Sequence, residues 1–278
     1  MATRHLVCLT FDFDGISGFI ARGQTSASWI SRGEFGVWVG APRALALLEK
    51  FGIKSTWFVP GHTMETFPEA CETVLAAGHE IAHHGWTHRS PANLSRAEEE
   101  GELLRGIEAI RKLTGRAPRG YRSPGWELSR DSVELLVKHG FAYDSSMMGA
   151  DYTPYFARQG DAIELEQPAR FGRRTRLVEM PIHWSTDDSP HFEFMRTATT
   201  VRQGLMNAGA VLDNWSSNFL YMKDSLEWGV LTYTCHPFVI GRGHRMMMLE
   251  RLIRTCADSG AVFVTMEDAV AEFENGKA

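Results

Sequence analysis

Short apolar segments alternate with amphipathic segments along almost the whole chain, and this alternation restricts the folds open to it. Repeated strand–helix units favour a parallel sheet covered by helices, so the predicted fold class is α/β. About eight predicted strands in a chain of this length favour a (β/α) barrel over an open sheet. We expect residues 1–278 to form a single domain.

The local patterns predict where each element lies. Runs rich in β-branched and aromatic residues predict strands at 5–11, 54–59, 79–82, 120–123, 141–145, 177–182, 230–235 and 261–264. Periodic apolar positions predict helices at 41–51, 66–77, 94–113, 129–139, roughly 244–258 and 267–274. Ser95 and Glu98 predict a capping box, and Ser129 is expected to cap the next helix. The glycine-rich and aromatic segment 15–40 is expected to be a loop over the site.

Composition excludes several functions. The net charge of −5 leaves no dominant basic field, so a nucleic-acid partner is not expected. No apolar run approaches the length of a membrane span, and none near the N-terminus is long enough for a signal peptide. The 4 cysteines form no CxxC pair and are expected to be reduced and mostly buried, which favours the cytoplasm. The sequence allows a homo-oligomer but fixes no subunit number.

Polar side chains stand where several predicted strands end. They are Asp12 and Asp14 after the first strand, His84 and His88 after the third, Arg122 at the end of the fourth, and His236 after residues 230–235. The carboxyl ends of parallel strands lie on one face of an α/β fold, and that face carries the functional site. Histidine and aspartate from independent strands are therefore expected to meet there.

Asp14, His84 and His88 are the candidate ligands of a divalent metal. Two neutral imidazoles and one carboxylate leave coordination positions open for water and substrate, as catalytic zinc requires. A histidine pair with this spacing is otherwise most often a pair on a helix surface. Here the pair follows a predicted strand and lies beside Gly85, which favours the metal interpretation.

Asp12 is better placed as a base than as a second carboxylate ligand, because it could then take the proton of a bound water. Arg122 could pair with Asp12 and orient it, although a purely structural ion pair is the alternative. His236, if charged, could protonate a leaving nitrogen as general acid. Its alternative is a histidine buried in the core with its hydrogen bonds satisfied.

The same residues, in this order, resemble the motifs of the polysaccharide deacetylase family (carbohydrate esterase family 4). The first motif corresponds to Thr10–Gly15 (TFDFDG), the second to Gly78–His88 (GHEIAHHGWTH) and the third to Arg122–Pro124 (RSP). The fourth, aromatic motif corresponds to His183-Trp184, and the fifth supplies His236. The resemblance runs from about residue 5 to 268, and the first two motifs together are highly specific.

The resemblance implies a distorted barrel of seven or eight strands and metal-assisted hydrolysis of a C–N amide bond, typically the N-acetyl group of an amino sugar. It implies Asp14, His84 and His88 as ligands of a zinc-like ion, with Co²⁺, Ni²⁺ or Mn²⁺ as alternatives to Zn²⁺. It makes Asp12 the base and His236 the acid. The substrate is expected to be a sugar or another small molecule.

Four further residues are expected to contact the substrate. They are Trp86, Pro124, Trp126 and Trp184. For Trp86 and Trp126 simple packing is an equal alternative, since aromatic side chains fill cores as readily as pockets.

Three departures from the family motifs bear on the substrate. Phe13 separates the two aspartates, Gly85 replaces the usual Ser or Thr, and the segment after His236 is unlike the usual ending. With Trp57–His62 and His183–Asp188, these features resemble the branch that includes Helicobacter-type peptidoglycan deacetylase. They are also similar to cyclic-imide hydrolases and to allantoinases, and some allantoinases of this type work without a bound metal. A hydrolase of small cyclic amides is therefore the alternative function. A non-catalytic scaffold is disfavoured, because every matched position is filled.

Overall fold

The computed structural model describes residues 3–197 and 201–276 and contains one curled, mostly parallel sheet. The strands are β1 (Arg4–Asp12), β2 (Thr56–Val59), β3 (Glu80–His83), β4 (Gly120–Tyr121), β5 (Tyr143–Asp144), β6 (Tyr155–Gln159), β7 (Arg173–Glu179), β8 (Met195–Arg196), β9 (Val201–Arg202), β10 (Trp228–Cys235) and β11 (Ala261–Phe263). Eight of them follow the order β10-β1-β2-β3-β4-β5-β7-β6, and β11 also pairs with β1. This arrangement confirms the predicted α/β class and the distorted barrel. β8 and β9 form a separate hairpin.

Helices occupy most of the connections between strands. They are α1 (Ser17–Ile20), α2 (Ala27–Phe35), α3 (Ala41–Phe51), α4 (Gly61–Thr66), α5 (Pro68–Ala76), α6 (Arg96–Thr114), α7 (Ser132–Lys138), α8 (Asp188–Phe192), α9 (Ala208–Ser225), α10 (Pro237–Ile240), α11 (Gly243–Asp258) and α12 (Met266–Glu274). None of the helices in the described part of the chain has the length and apolarity needed to cross a bilayer.

β1 lies at the centre of the sheet and carries the first motif. One of its edges pairs with β10 along nearly its whole length. The other edge pairs with β11 near the start of β1 and with β2 near its end. Because neighbours cover both edges and helices cover the faces, all but the first residue of β1 are buried. Its carboxyl end, with Asp12, therefore points to the edge where β2 and β10 also end.

Two local predictions are wrong, the loop at 15–40 and the cap at Ser129. Residues 15–40 form α1, α2 and a π-helical turn, Gly36–Gly40, instead of a loop. Gly40 permits this helical packing, because a Cβ there would overlap the carbonyl group of Pro237 in α10. The helix predicted at 66–77 is present as α5 (Pro68–Ala76), and the short helix α4 (Gly61–Thr66), which was not predicted, ends just before Phe67.

Ser129 does not cap α7, which begins at Ser132. Its hydroxyl instead donates to the buried carboxylate of Glu99 in α6 and accepts from the backbone N–H of Asp131. The capping box of α6 is present as predicted, with Ser95 and Glu98 satisfying each other's backbone N–H groups. The long helix α9 has no counterpart among the predicted elements.

Gly106 gives a direct test of how α6 packs against β3. A Cβ at Gly106 would overlap the imidazole of His83, which is fully buried and bonded to the carbonyl of Leu103 at 3.0 Å. We expect Gly106→Ala to lower the free energy of unfolding by about 1–3 kcal/mol, because the tightly packed ring has no room to move. Chemical denaturation measures this change.

Gly101 supplies the matched control in the same helix. A Cβ at Gly101 meets no atom within 4 Å. Gly101→Ala should therefore be neutral or stabilising by about 0.5–1 kcal/mol, since alanine restricts the unfolded chain. Equal stability of the two variants would contradict the packing described here.

Candidate active site

The carboxyl ends of four strands bring the predicted polar residues to one edge of the sheet. Asp12 ends β1 and Asp14 follows it, and the backbone N–H of Phe13 is bonded to the carbonyl of Phe58 in β2. The other three strands are followed by His84 after β3, Arg122 after β4 and His236 after β10. Asp12, Asp14, His84 and Arg122 are buried, and His236 is nearly so. The predicted convergence of the strand ends is present.

Asp14, His84 and His88 form a compact cluster. The Oδ1 atom of Asp14 lies 3.6 Å from Nε2 of His84 and 3.5 Å from Nε2 of His88. His88 reaches the cluster through a left-handed backbone conformation, with φ at 56°. Such a conformation is uncommon for a residue with a side chain and often accompanies a functional site.

The donor atoms of this cluster fit a divalent metal. Nδ1 of His84 donates a hydrogen bond to the carbonyl of Arg122 at 2.8 Å, which leaves a lone pair on Nε2. That Nε2 and Oδ1 of Asp14 are buried without a hydrogen-bond partner in the described part of the chain. Buried polar atoms without partners are costly, and a cation would satisfy both. Burial lowers the pKa of His84 and of His88 to about 4, so both rings are neutral, as metal ligands must be.

Asp12 is held by a buried ion pair with Arg122. The guanidinium donates to Oδ1 of Asp12 at 2.6 Å and to the hydroxyl of Thr10 at 2.9 Å. It also donates to the carbonyl and the hydroxyl of Ser145 at 3.1 and 3.0 Å. Burial alone would raise the pKa of Asp12, but Arg122 and the nearby histidines lower it to about 2. Asp12 is therefore an oriented carboxylate with its second oxygen turned toward the cluster.

His236 faces Asp12 from the opposite side and is supported by two acids. Its Nε2 lies 3.9 Å from Oδ2 of Asp12. Its Nδ1 donates to the carboxylate of Asp188 at 2.8 Å and lies 3.5 Å from that of Asp187. Burial alone would lower the pKa of His236, but the two carboxylates raise it well above its usual value. His236 is therefore a protonated imidazole near neutral pH.

Asp187 and Asp188 were not assigned a role from the sequence. They end the segment His183–Asp188, which resembles one branch of the family but has no clear strand or helix pattern that would place the two carboxylates. Asp188 begins α8, and its carboxylate also accepts from the backbone N–H of His236. This double contact fixes the position of the imidazole.

We expect Asp188→Asn to shift the alkaline limb of the pH profile. An acid that must be protonated loses function as the pH rises through its pKa. Removing the negative charge lowers the pKa of His236, so the alkaline limb of kcat/KM should move to lower pH by about one unit or more. The pH dependence of kcat/KM measures the shift. Asp258→Asn, at an exposed position in α11, is the control and should leave the alkaline limb in place. If the alkaline limb of Asp188→Asn did not move either, Asp188 would not be raising the pKa of His236.

The predicted aromatic residues take different positions. Trp126 and Trp184 stack with ring centroids 4.2 Å apart and line a cavity of about 200 Å³ above the cluster. Pro124 lines an adjacent cavity that shares His88. The structure does not bring Trp86 to either cavity. Its ring packs under the guanidinium of Arg105 and against His62, in agreement with the packing alternative.

The cavity also contains residues that the sequence did not single out. They are Arg22, Ser189, Glu193, Met195, Arg202 and Phe238. Most of them come from segments 15–40 and 187–202, where no strand ending pointed to them.

An α/β sheet that gathers a metal-binding cluster, an ionised carboxylate and a protonated histidine at one edge has the arrangement of a metal-dependent hydrolase.

Comparison with known proteins agrees with this class. Residues 35–143 match the polysaccharide deacetylase family. The peptidoglycan deacetylase of Helicobacter pylori is 36% identical over 286 residues, which cover 98% of this chain and 97% of that protein. A peptidoglycan deacetylase-like protein of Gibberella zeae is 30% identical and covers 97% of this chain and 86% of its own length. The chain belongs to the polysaccharide deacetylase family, whose enzymes are metal-dependent hydrolases of C–N bonds other than peptide bonds.

Solved structures support the same assignment. A protein of Mycobacterium smegmatis assigned to the polysaccharide deacetylases superimposes with a TM-score of 0.86 at 31% identity, over 100% of this chain and 92% of that one. Puue allantoinase superimposes with a TM-score of 0.78 over 98% and 91% of the two chains. At 19% identity the allantoinase shows a shared fold only.

Proposed function

We propose that this enzyme removes the N-acetyl group from an amino sugar of peptidoglycan or a related polysaccharide, with Asp12 as base and His236 as acid. One observation carries the proposal. Oδ2 of Asp12 lies 3.8 Å from Nε2 of His84 and 3.9 Å from Nε2 of His236, so a base and an acid flank the candidate metal ligands. Their pKa values are displaced in opposite directions, as acid and base roles require.

Each residue has a defined task in this proposal. Asp14, His84 and His88 would hold the metal, which we take to be Zn²⁺, with Co²⁺, Ni²⁺ or Mn²⁺ as alternatives. When bound, such a cation would polarise the acyl carbonyl and increase the acidity of water. Asp12, kept ionised and oriented by Arg122, takes a proton from the water that attacks the carbonyl carbon. His236 gives a proton to the departing nitrogen, and the products are acetate and a free amine.

The remaining assignments rest on more general features. The stacked pair Trp126 and Trp184 offers an apolar wall for a sugar ring. We also infer a single catalytic domain over residues 1–278 and a cytoplasmic location. The cytoplasm is supported by four buried cysteines that are all free thiols.

A hydrolase of small cyclic amides remains the second candidate. The size of the cavity favours it, and so does the inferred cytoplasmic location, because assembled cell-wall polymer lies outside the cell. A space of about 200 Å³, walled on one side by Arg22 after α1 and by Met195 and Arg202 of β8 and β9, suits one ring better than a polymer. The base and acid would then open a ring amide by the same proton transfers.

The experiment that tests both candidates is a substrate panel with the metal-loaded enzyme. The panel contains N-acetylglucosamine oligomers, a peptidoglycan fragment, succinimide and allantoin. We expect acetate release from one of the first two. Faster ring opening of succinimide or allantoin would favour the second candidate, and no turnover of any compound would contradict both.

A further inference from the structure

Two arginine side chains, Arg22 and Arg202, line the cavity beside the metal-binding cluster. Arg22 follows α1 and Arg202 lies in β9, and Arg32 of α2 is a charged neighbour of Arg22. Burial lowers the pKa of Arg22, as do the positive charges of Arg202 and Arg32, while the carboxylates of Asp14 and Glu193 act in the opposite direction. Neither of these two carboxylates forms an ion pair with Arg22 or Arg202 in the described part of the chain, so the like charges of the two arginines are not directly neutralised.

The carboxylates near these two arginines are already engaged elsewhere. Glu193 forms an ion pair with Arg32. Asp12 pairs with Arg122, and Asp187 and Asp188 both face His236. Asp14 belongs to the cluster that fits a cation.

Arg22 and Arg202 are left without an ion pair to any carboxylate in residues 3–197 and 201–276. Within the described residues, Arg22 donates to the neutral side chain of Gln24 at 3.4 Å, and Arg202 donates to the hydroxyl of Ser189 at 3.5 Å. These long contacts to neutral groups leave most of the donor capacity of each guanidinium unused.

The guanidinium of Arg22 is adjacent to the cluster. Gly18 has these three groups around it. A Cβ atom built on Gly18 would lie 3.5 Å from Oδ2 of Asp14, 3.7 Å from Nδ1 of His88 and 3.7 Å from Nη2 of Arg22. A substrate whose amide reaches the cluster therefore has Arg22 next to another part of the same molecule. Arg202 lines the same cavity.

We propose that Arg22 and Arg202 form a subsite for an anionic group of the substrate, so that the enzyme prefers N-acetylated substrates that carry a carboxylate or a phosphate. This inference rests on the proposed deacetylation. The planar guanidinium fork matches both anions and binds them through paired charge-assisted hydrogen bonds. A divalent metal at the cluster would exceed the single negative charge of Asp14, so it would add to the positive charge that the two arginines bring to the cavity.

The test uses matched pairs of small acetamides and the metal-loaded enzyme. N-acetylmuramic acid is compared with its methyl ester, and N-acetylglucosamine 6-phosphate with N-acetylglucosamine. Within each pair only the anionic group differs. We measure kcat/KM, and we measure binding by calorimetry, which does not require turnover.

We expect one anionic compound to exceed its neutral partner by about ten- to a hundredfold in kcat/KM, and the pair that responds identifies the anion. Arg22→Gln and Arg202→Gln should reduce this ratio, whereas Arg22→Lys should keep part of it. Arg254→Gln, at an exposed arginine of α11, should leave the ratio unchanged. Metal content is measured for each variant, so that a loss of metal is not mistaken for a loss of anion binding.

The anionic subsite and the deacetylation on which it rests would be contradicted by different results. Equal kcat/KM and equal binding within both pairs, or a preference that survives both glutamine variants, would overturn the anionic subsite while leaving the deacetylase intact. Tighter, arginine-dependent binding of an anionic compound without release of acetate would support the subsite and overturn the deacetylation. If none of the four compounds is bound or hydrolysed, the anionic subsite and the deacetylation are both overturned.

Discussion

Asp12→Asn should lower kcat/KM by about 10²–10⁴-fold, because the amide cannot accept the proton of the attacking water. The asparagine oxygen can still accept the hydrogen bond that Arg122 makes to Oδ1 at 2.6 Å, so the neighbouring structure should be kept. Metal content should also be kept, since Asp12 lies beside the candidate ligands and is not one of them in our assignment. Steady-state kinetics with the best substrate and metal analysis of the same sample measure both quantities.

Asp213→Asn is the matched control, because it makes the same change at an exposed carboxylate of α9. It should leave both kcat/KM and the metal content at the level of the unmodified protein. Full activity of Asp12→Asn would eliminate Asp12 as the base. Loss of metal together with activity would place Asp12 among the ligands instead.

His84→Ala should abolish both metal binding and activity. Loss of groups that only orient a metal ligand typically costs 10–100-fold in affinity, so the loss of a ligand itself should exceed about a hundredfold. The variant removes the buried Nε2 that now lacks a hydrogen-bond partner, and it leaves Asp14 beside His88 alone. Metal titration followed by calorimetry measures the affinity, and the substrate assay measures the activity.

His244→Ala controls for the general effect of removing an imidazole, because His244 is an exposed residue of α11. It should bind metal and turn over substrate as the unmodified protein does. If His84→Ala retained the metal stoichiometry and affinity, the cluster of Asp14, His84 and His88 would not be the metal site. Activity without metal would instead indicate the metal-free chemistry that the cyclic-amide alternative allows.

The part of the site that could be predicted from the sequence is the part attached to strand ends. Asp12, His84, Arg122 and His236 each follow a strand with a clear β pattern, and parallel strands deliver their carboxyl ends to one edge. The contact between Arg122 and Asp12 could be predicted for the same reason. The structure brings these residues together as the topology requires.

The part that could not be predicted comes from segments without such a pattern. Asp188 reaches His236 from the short helix α8, and Arg22 and Arg202 reach the cavity from a helix end and a small hairpin. Their positions depend on tertiary packing, which leaves no periodic signal in the sequence. The helices in 15–40 were mistaken for a loop because glycines that permit close packing look the same as glycines that permit turns.

The central position of β1 has a consequence for how the protein is made. The strand that carries Asp12 pairs along its length with β10, and Thr10 donates to the carbonyl of Tyr233 across 223 residues of chain. During synthesis β1 therefore emerges long before the strand that covers this edge. Until β10 is made, the growing chain holds an apolar strand with one edge unpaired, and His236, which follows β10, cannot yet join Asp12 in the site.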